Sequence, residues 1–439
     1  MQSHSPLSGR RAFLGALAAA PLVVPSRVLG AQAPSKQMTI AFIGTGNNGY
    51  GWMQPFLKDS RVRVVAVCDV NREGPGYWDN TIRGREPARQ LVNKTYGNED
   101  CKAYEDYREV LARPDVDAVY IASPDHWHAL HAIHAARAGK HILCQKPLTT
   151  TVAEGRAMVT AVEKAGKVWQ TGSQQRSDWA FLRAKQIVDS GRIGRVHLVR
   201  VGLPGGIPDF GKTAHRHQPE PVPEGFRYDW WLGPAAQAPY CPARVGVNFR
   251  WIRDYSGGQL TDWGAHHIDC AQWILGKERT GPIAIRNAHG KWANHPLYNT
   301  ATDFYFDCDY GNDLKMIVSS NERGGVRFVG LDGWVWVSRG RIEASFPLPE
   351  DTITDAQRKA KPDSTDVHCA NFTDGVLKGT KTVAPIEVAH RSISIAHLGN
   401  IALAVGRDLR WDPKAETILN DSTAAAKLTR AYRAPYSLS

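Results

Sequence analysis

Three groups of residues combine side-chain types and spacings that can do chemistry. Gly44-Thr45-Gly46-Asn47-Asn48-Gly49 fits G-x-G-x-x-G, and Asp69 stands 20 residues beyond Gly49. Glycines so spaced let a backbone approach a pyrophosphate at a helix N-terminus, and a carboxylate at that distance takes ribose hydroxyls. Such a carboxylate repels a 2′-phosphate, so NAD is favoured over NADP; Arg72 is the nearby side chain that argues the other way. Gln145-Lys146-Pro147 ends the apolar run Ile142-Leu143-Cys144. Partial desolvation lowers the basicity of a lysine, so one fixed by a proline at a strand end is a usable general acid/base near neutral pH.

The third group is GGQLTDWGAHHIDCAQWILG. Asp262, His266 and Asp269 fall at i, i+4 and i+7, on one helix face. Leu260, Gly264, Ile268, Ala271 and Leu275 form an apolar face. Thr261 or Asp262 is the expected cap and Gly276 the stop. Adjacent His266 and His267 point to different sides of a helix, so no metal is expected there. Gln174 and Arg176, in TGSQQRSDW, mark another strand end that faces a substrate. Trp251 is the candidate for stacking on a ligand face, and His267 a further substrate contact; most other tryptophans belong to the core.

These groups need elements to hold them. From Met38 the pattern alternates strand and helix: MTIAFIG, NNGYGWMQPFLKD, VRVVAVCDV, AYEDYREVLAR, VDAVYIAS, HWHALHAIHAARAG, KHILCQ. Helices between apolar strands predict a parallel, doubly wound sheet over 38–160. Ligands bind beyond the carboxyl ends of such strands, where Lys146 emerges. Glycine, proline and tryptophan concentrate between Gly202 and Gly258. Beyond them TDFYFDCDY, DLKMIVSS and RFVGLDGWVWVS read as successive strands of an open, mostly antiparallel sheet, giving a second α/β domain over 161–439.

Composition narrows the class. The chain has 439 residues, enough for two domains, and a formal charge of +11 without any Lys/Arg run, which argues against nucleic acid. Seven scattered cysteines with no C-x-x-C pair read as core residues, not as a disulfide frame or a zinc site. Residues 1–33 read as a twin-arginine signal peptide: Arg10-Arg11, an apolar stretch too short to span a membrane, then Ala31-Gln32-Ala33. The expectation is periplasmic or otherwise exported protein, carried folded by the twin-arginine translocase, with no stable membrane span.

The segments AFIGTGNNG, SPDHWHA, CQKPL and GGQLTDWGAHHID, in this order, resemble the Gfo/Idh/MocA family of glucose–fructose oxidoreductase and inositol dehydrogenase, from about Met38 onward. The resemblance implies a Rossmann domain followed by a substrate and oligomerisation domain, in a homodimer or homotetramer. It implies that Lys146 moves the substrate hydroxyl proton beside the nicotinamide. Asp262 and His266 would hold the reacting hydroxyl, with Asp262 orienting His266, and Ser123, Pro124 and His128 would border the dinucleotide. Gln145 stands where the family usually has glutamate; it keeps a hydrogen-bonding group for cofactor or lysine but removes a charge. The implied activity is hydride transfer between tightly held NAD and a hydroxyl of a sugar, polyol or glycoside. The rival is a redox-neutral, NAD-dependent glycosidase or lyase acting through a transient keto-sugar.

Overall fold

The computed structural model describes residues 37–78, 81–350, 353, 358 and 365–438. The twin-arginine segment lies outside them. Six strands form a parallel sheet: β1 (Met38–Ile43), β2 (Val62–Cys68), β3 (Lys102–Tyr104), β4 (Ala118–Ile121), β5 (His141–Cys144) and β6 (Trp169–Thr171), in spatial order β3-β2-β1-β4-β5-β6. β1, β4 and β5 are nearly or wholly buried, as a parallel sheet covered on both faces requires. The helices α1 (Asn47–Lys58), α2 (Arg85–Tyr96), α3 (Tyr107–Ala112), α4 (Asp125–Arg137) and α5 (Val152–Ala165) connect these strands. Two boundaries differ from the sequence reading. AYEDYREVLAR divides into the end of β3 and the short α3. The parallel sheet also runs past residue 160, because β6 pairs with β5 through Ile142, Leu143 and Cys144.

The second domain begins with α6 (Trp179–Asp189) and β7 (Val196–Gly202). The glycine- and tryptophan-rich stretch then forms an irregular layer around α7 (Tyr228–Leu232), with its own apolar cluster of Trp231, Phe249, Trp251, Tyr255 and Tyr298. After α8 (Gln259–Asp262) and α9 (Gly264–Ile274) come β8 (Ala284–Trp292), β9 (Ala301–Asp309), β10 (Lys315–Ser319), β11 (Gly325–Gly330), β12 (Trp334–Ser338) and β13 (Arg341–Ala344). α10 (Thr365–Lys378), α11 (Ile386–Val405), β14 (Leu409–Asp412) and β15 (Thr417–Leu419) follow. The nine-stranded sheet has the order β13-β12-β11-β7-β10-β9-β8-β14-β15 and is antiparallel except between β7 and β10. One apolar core joins the two domains, and α10 returns to place Cys369 and Phe372 against the first sheet.

The predicted long helix at 259–276 is two helices. α8 ends at Asp262, and α9 starts from Trp263 without a side-chain cap, so Asp262 closes one helix and does not cap the next. That break frees the Asp262 carboxylate to reach across to β5. All seven cysteines are buried and free. Among the described residues no helix is long and apolar enough to cross a membrane, and no three His, Cys, Asp or Glu side chains converge as a metal would require.

Candidate active site

The glycine loop is shaped by close backbone approach. Gly44 leaves β1 at φ 91°, where a Cβ would lie 2.5 Å from the Ala122 carbonyl carbon. A Cβ on Gly49 would meet the Gly44 carbonyl oxygen at 2.0 Å. Gly46 instead faces open space on a cavity wall, and α1 begins with no side-chain cap, leaving its first N–H groups for an anion. Asn47 Oδ1 accepts from the Tyr77 N–H at 2.8 Å, and Asn48 Oδ1 from the Tyr120 hydroxyl at 2.8 Å.

Asp69 emerges from β2 beside this loop. Its Oδ2 accepts from the Thr45 N–H at 2.7 Å and from the Thr45 hydroxyl at 3.3 Å, and its Oδ1 from the Asn71 N–H at 2.9 Å. Burial pushes its pKa up against the pull of those bonds. Its oxygens keep lone pairs for ribose hydroxyls. Arg72 is exposed and stands outside the cavity wall, whereas Glu73 and Glu105 stand on it. Arg83 stands on that wall too, so the fit to NAD rests on the Asp69 carboxylate, which repels a 2′-phosphate.

The cavity, of about 580 Å³, runs between the domains and is walled by Gly46, Ser123, Lys146, Trp230 and Arg250 among others. Its size suits a cofactor with a small substrate. Lys146 lies just past β5, and its Nζ donates to Asp262 Oδ1 at 2.6 Å and to the Asp262 carbonyl at 3.3 Å. Arg250 Nε reaches the same Oδ1 at 3.4 Å. Against the cost of burial, these two cations hold the Asp262 carboxyl down at about 2, so it is a fixed anion. Asp262 therefore pairs with Lys146, not with His266 as expected. His266 is 4% exposed, with Nδ1 buried and unpartnered. Burial first, then the charges of Lys146, Arg339 and His267, hold its pKa well below the ordinary histidine range. Its imidazole is neutral.

The loop after β4 also meets the cavity. Ser123, Pro124 and His128 line it. Ser123 Oγ is 3.0 Å from His131 Nδ1, and both ring nitrogens of His128 face carbonyl oxygens, of Pro147 and Ser123, at 2.8 Å. His128 thus braces the Lys146-Pro147 turn against the loop. The Gln145 amide donates to the Tyr120 hydroxyl at 2.8 Å, and Tyr120 passes its own proton to Asn48. A Cβ on residue 172 would fall 2.6 Å from the Gln145 amide nitrogen, so Gly172 makes room for this side chain.

Four substrate candidates lie elsewhere. Arg176 is 2% exposed and spends its guanidinium on Asp269, at 2.6 and 2.9 Å, and on Glu278 at 3.0 Å. Asp269 is thereby withdrawn from the Asp262 face. Gln174, in the same buried turn, is outside the cavity wall. Trp251 is core, its indole N–H donating to Asn248. His267 turns inward, Nδ1 2.8 Å from the Gly202 carbonyl, and burial lowers its pKa to about 4. Arg250, Tyr120 and Asp125 were missed. Asp125 is buried on the cavity wall, and its carboxylate accepts from the Ser256 hydroxyl. Only its place at the start of α4 marks it in the sequence.

Residues 38–173 match the oxidoreductase-family NAD-binding Rossmann fold, and residues 180–438 match the C-terminal α/β domain of the same family. The oxidoreductase YrbE of Bacillus subtilis is 28% identical over 246 residues, 56% of each chain, so the match spans little more than half of that relative. The scyllo-inositol 2-dehydrogenase (NAD(+)) of Bacillus subtilis is 28% identical over 311 residues, 69% of this chain and 74% of that one. The WlbA dehydrogenase of Bordetella pertussis, solved with NADH and UDP-GlcNAcA, superposes with a TM-score of 0.63 at 18% identity, covering 86% of this chain and 99% of its own. With both domain matches in sequence order over the fold just described, the chain belongs to the Gfo/Idh/MocA family of NAD-binding oxidoreductases.

Proposed function

We propose that the protein is an NAD-dependent dehydrogenase that oxidises a hydroxyl of a sugar, polyol or glycoside, or reduces the matching ketone. The observation that carries this is Lys146 held 2.6 Å from Asp262 on the wall of the cavity onto which the glycine loop also opens. Bound NAD supplies the hydride acceptor. The glycine loop, the first turn of α1 and Asp69 would hold the dinucleotide. Lys146 faces the space beyond the strand ends, where its amine form takes the hydroxyl proton and its ammonium form returns it. Asp262 aims that nitrogen and stabilises its charge. His266, kept neutral by burial and standing off the cavity wall, is a poor terminal base, which revises the acceptor role the sequence suggested. The two inositol- and sugar-nucleotide-directed names among the relatives support a polyhydroxylated substrate.

The test is kinetic. Lys146→Ala should lose about 10²–10⁴-fold in the rate of alcohol oxidation while retaining NAD binding. Asp262→Asn removes the carboxylate that aims the Lys146 nitrogen, so it should slow the same step while retaining NAD binding. Unchanged single-turnover hydride transfer in Lys146→Ala would refute the assignment.

A further inference from the structure

In a dinucleotide-binding domain the carboxylate at the end of the second strand serves the adenosine ribose. Here that carboxylate is Asp69, and the chain that follows it, Val70–Arg72, is stitched to the other domain. The Arg72 N–H donates to the Gly225 carbonyl at 2.8 Å, and the Arg227 N–H to the Val70 carbonyl at 2.9 Å. Between these bonds Asn71 and Phe226 form an antiparallel bridge. Arg227 adds an ion pair to Glu105 at 3.2 Å and lies over the Trp230 ring, 4.5 Å from its centroid. Arg108, beyond β3, stands 5.9 Å from the same ring. Asn71, Glu105, Arg108, Phe226 and Trp230 all line the cavity.

The far end of this segment is also tied down. Arg433 bonds the Asp229 carboxylate at 2.6 Å, the Asp229 carbonyl at 2.9 Å and the Gly233 carbonyl at 2.9 Å. Three residues on, Tyr436 reaches the cavity and packs edge-on against Trp127, with centroids 5.3 Å apart. The chain from Gly225 to Trp231 therefore crosses the adenosine half of the cleft, fastened at one end to the cofactor domain and at the other to the C-terminal segment.

We propose that Gly225–Trp231 is a latch, supplied by the substrate domain, over the adenosine half of the dinucleotide site, and that the cofactor leaves only when this strap lifts. The proposal rests on the NAD-dependent reading above. Phe226 and Trp230 are then cofactor-enclosing residues supplied by the substrate domain, and Arg227 is the fastening residue.

The bridge offers a reversible test. Directly opposed bridge partners have Cα atoms about 4.5–5.5 Å apart, within disulfide reach. The double variant Asn71→Cys/Phe226→Cys, in the full chain, closes the latch when oxidised and frees it when reduced; the native cysteines are all buried. NADH release is followed by loss of its protein-enhanced fluorescence on mixing with excess NAD. Oxidation should slow release at least about tenfold relative to the same protein after dithiothreitol, and Arg227→Ala should speed it about tenfold. Equal release rates in the oxidised and reduced double variant, with wild-type rates in Arg227→Ala, would overturn the latch while leaving NAD dependence intact. Absence of any NAD or NADH binding by the wild type would remove the underlying reading and the latch together.

Discussion

Gln145 ties the end of β5 to the glycine loop. Its amide donates to Tyr120, and Tyr120 then has its single proton for Asn48 in the glycine loop. A carboxylate at 145 only accepts, so Tyr120 must turn its proton to it and release Asn48. Gln145→Glu should therefore raise the KM for NAD about fivefold, the worth of roughly one hydrogen bond. An unchanged KM would show that the Tyr120 bond does not help hold the glycine loop. At this scale the lysine and the glycines were legible, because each announces itself by neighbours in sequence. The partners were not: Asp262 lies 116 residues from Lys146, and the Asp269 that claims Arg176 lies 93 residues from it. Arg176 at a strand end reads as a substrate contact until that buried carboxylate is seen.

At the scale of elements, the alternation of apolar strands and helices made the parallel sheet readable, and with it the edge from which Lys146 emerges. The break at Trp263 was hidden, because the apolar spacing of 259–276 continues across it and Gly264, which a helix interior tolerates poorly, is its one local mark. It is the break that lets Asp262 turn to β5. The junction of β1 and α1 is equally exacting. A methyl on residue 49 has no room, since its carbon would stand 2.0 Å from the Gly44 carbonyl oxygen. Gly49→Ala should push α1 away from the loop and weaken NAD binding at least about tenfold, whereas Gly51→Ala, with nothing within 4 Å, should bind normally. Calorimetric titration of both variants with NAD checks this; equal affinities would mean that α1 shifts at no cost to the loop.

For the whole molecule, the shared core converts burial into pH dependence. His126 is driven down to about 3, and His267, His368 and His397 to about 4, chiefly because burial disfavours their cations. Unfolded, each titrates near 6.5. Between these values the unfolded chain binds protons that the folded chain refuses, so stability is full above pH 6.5 and is lost as pH falls toward 4. Each such histidine contributes about 1.4 kcal/mol per pH unit in that window. Asp69, Asp125 and Asp178, which burial pushes upward, act with the opposite sign and offset part of the effect. His131 and His266, also driven down by burial, add to the histidines' side. Urea unfolding followed by tryptophan fluorescence should give a midpoint that falls from pH 7 to pH 5. The loss should exceed that of a single histidine, and His397→Gln should flatten it, because a glutamine cannot take up the proton. A midpoint that holds or rises on acidification would mean that the buried carboxylates, not the histidines, set the proton balance of folding.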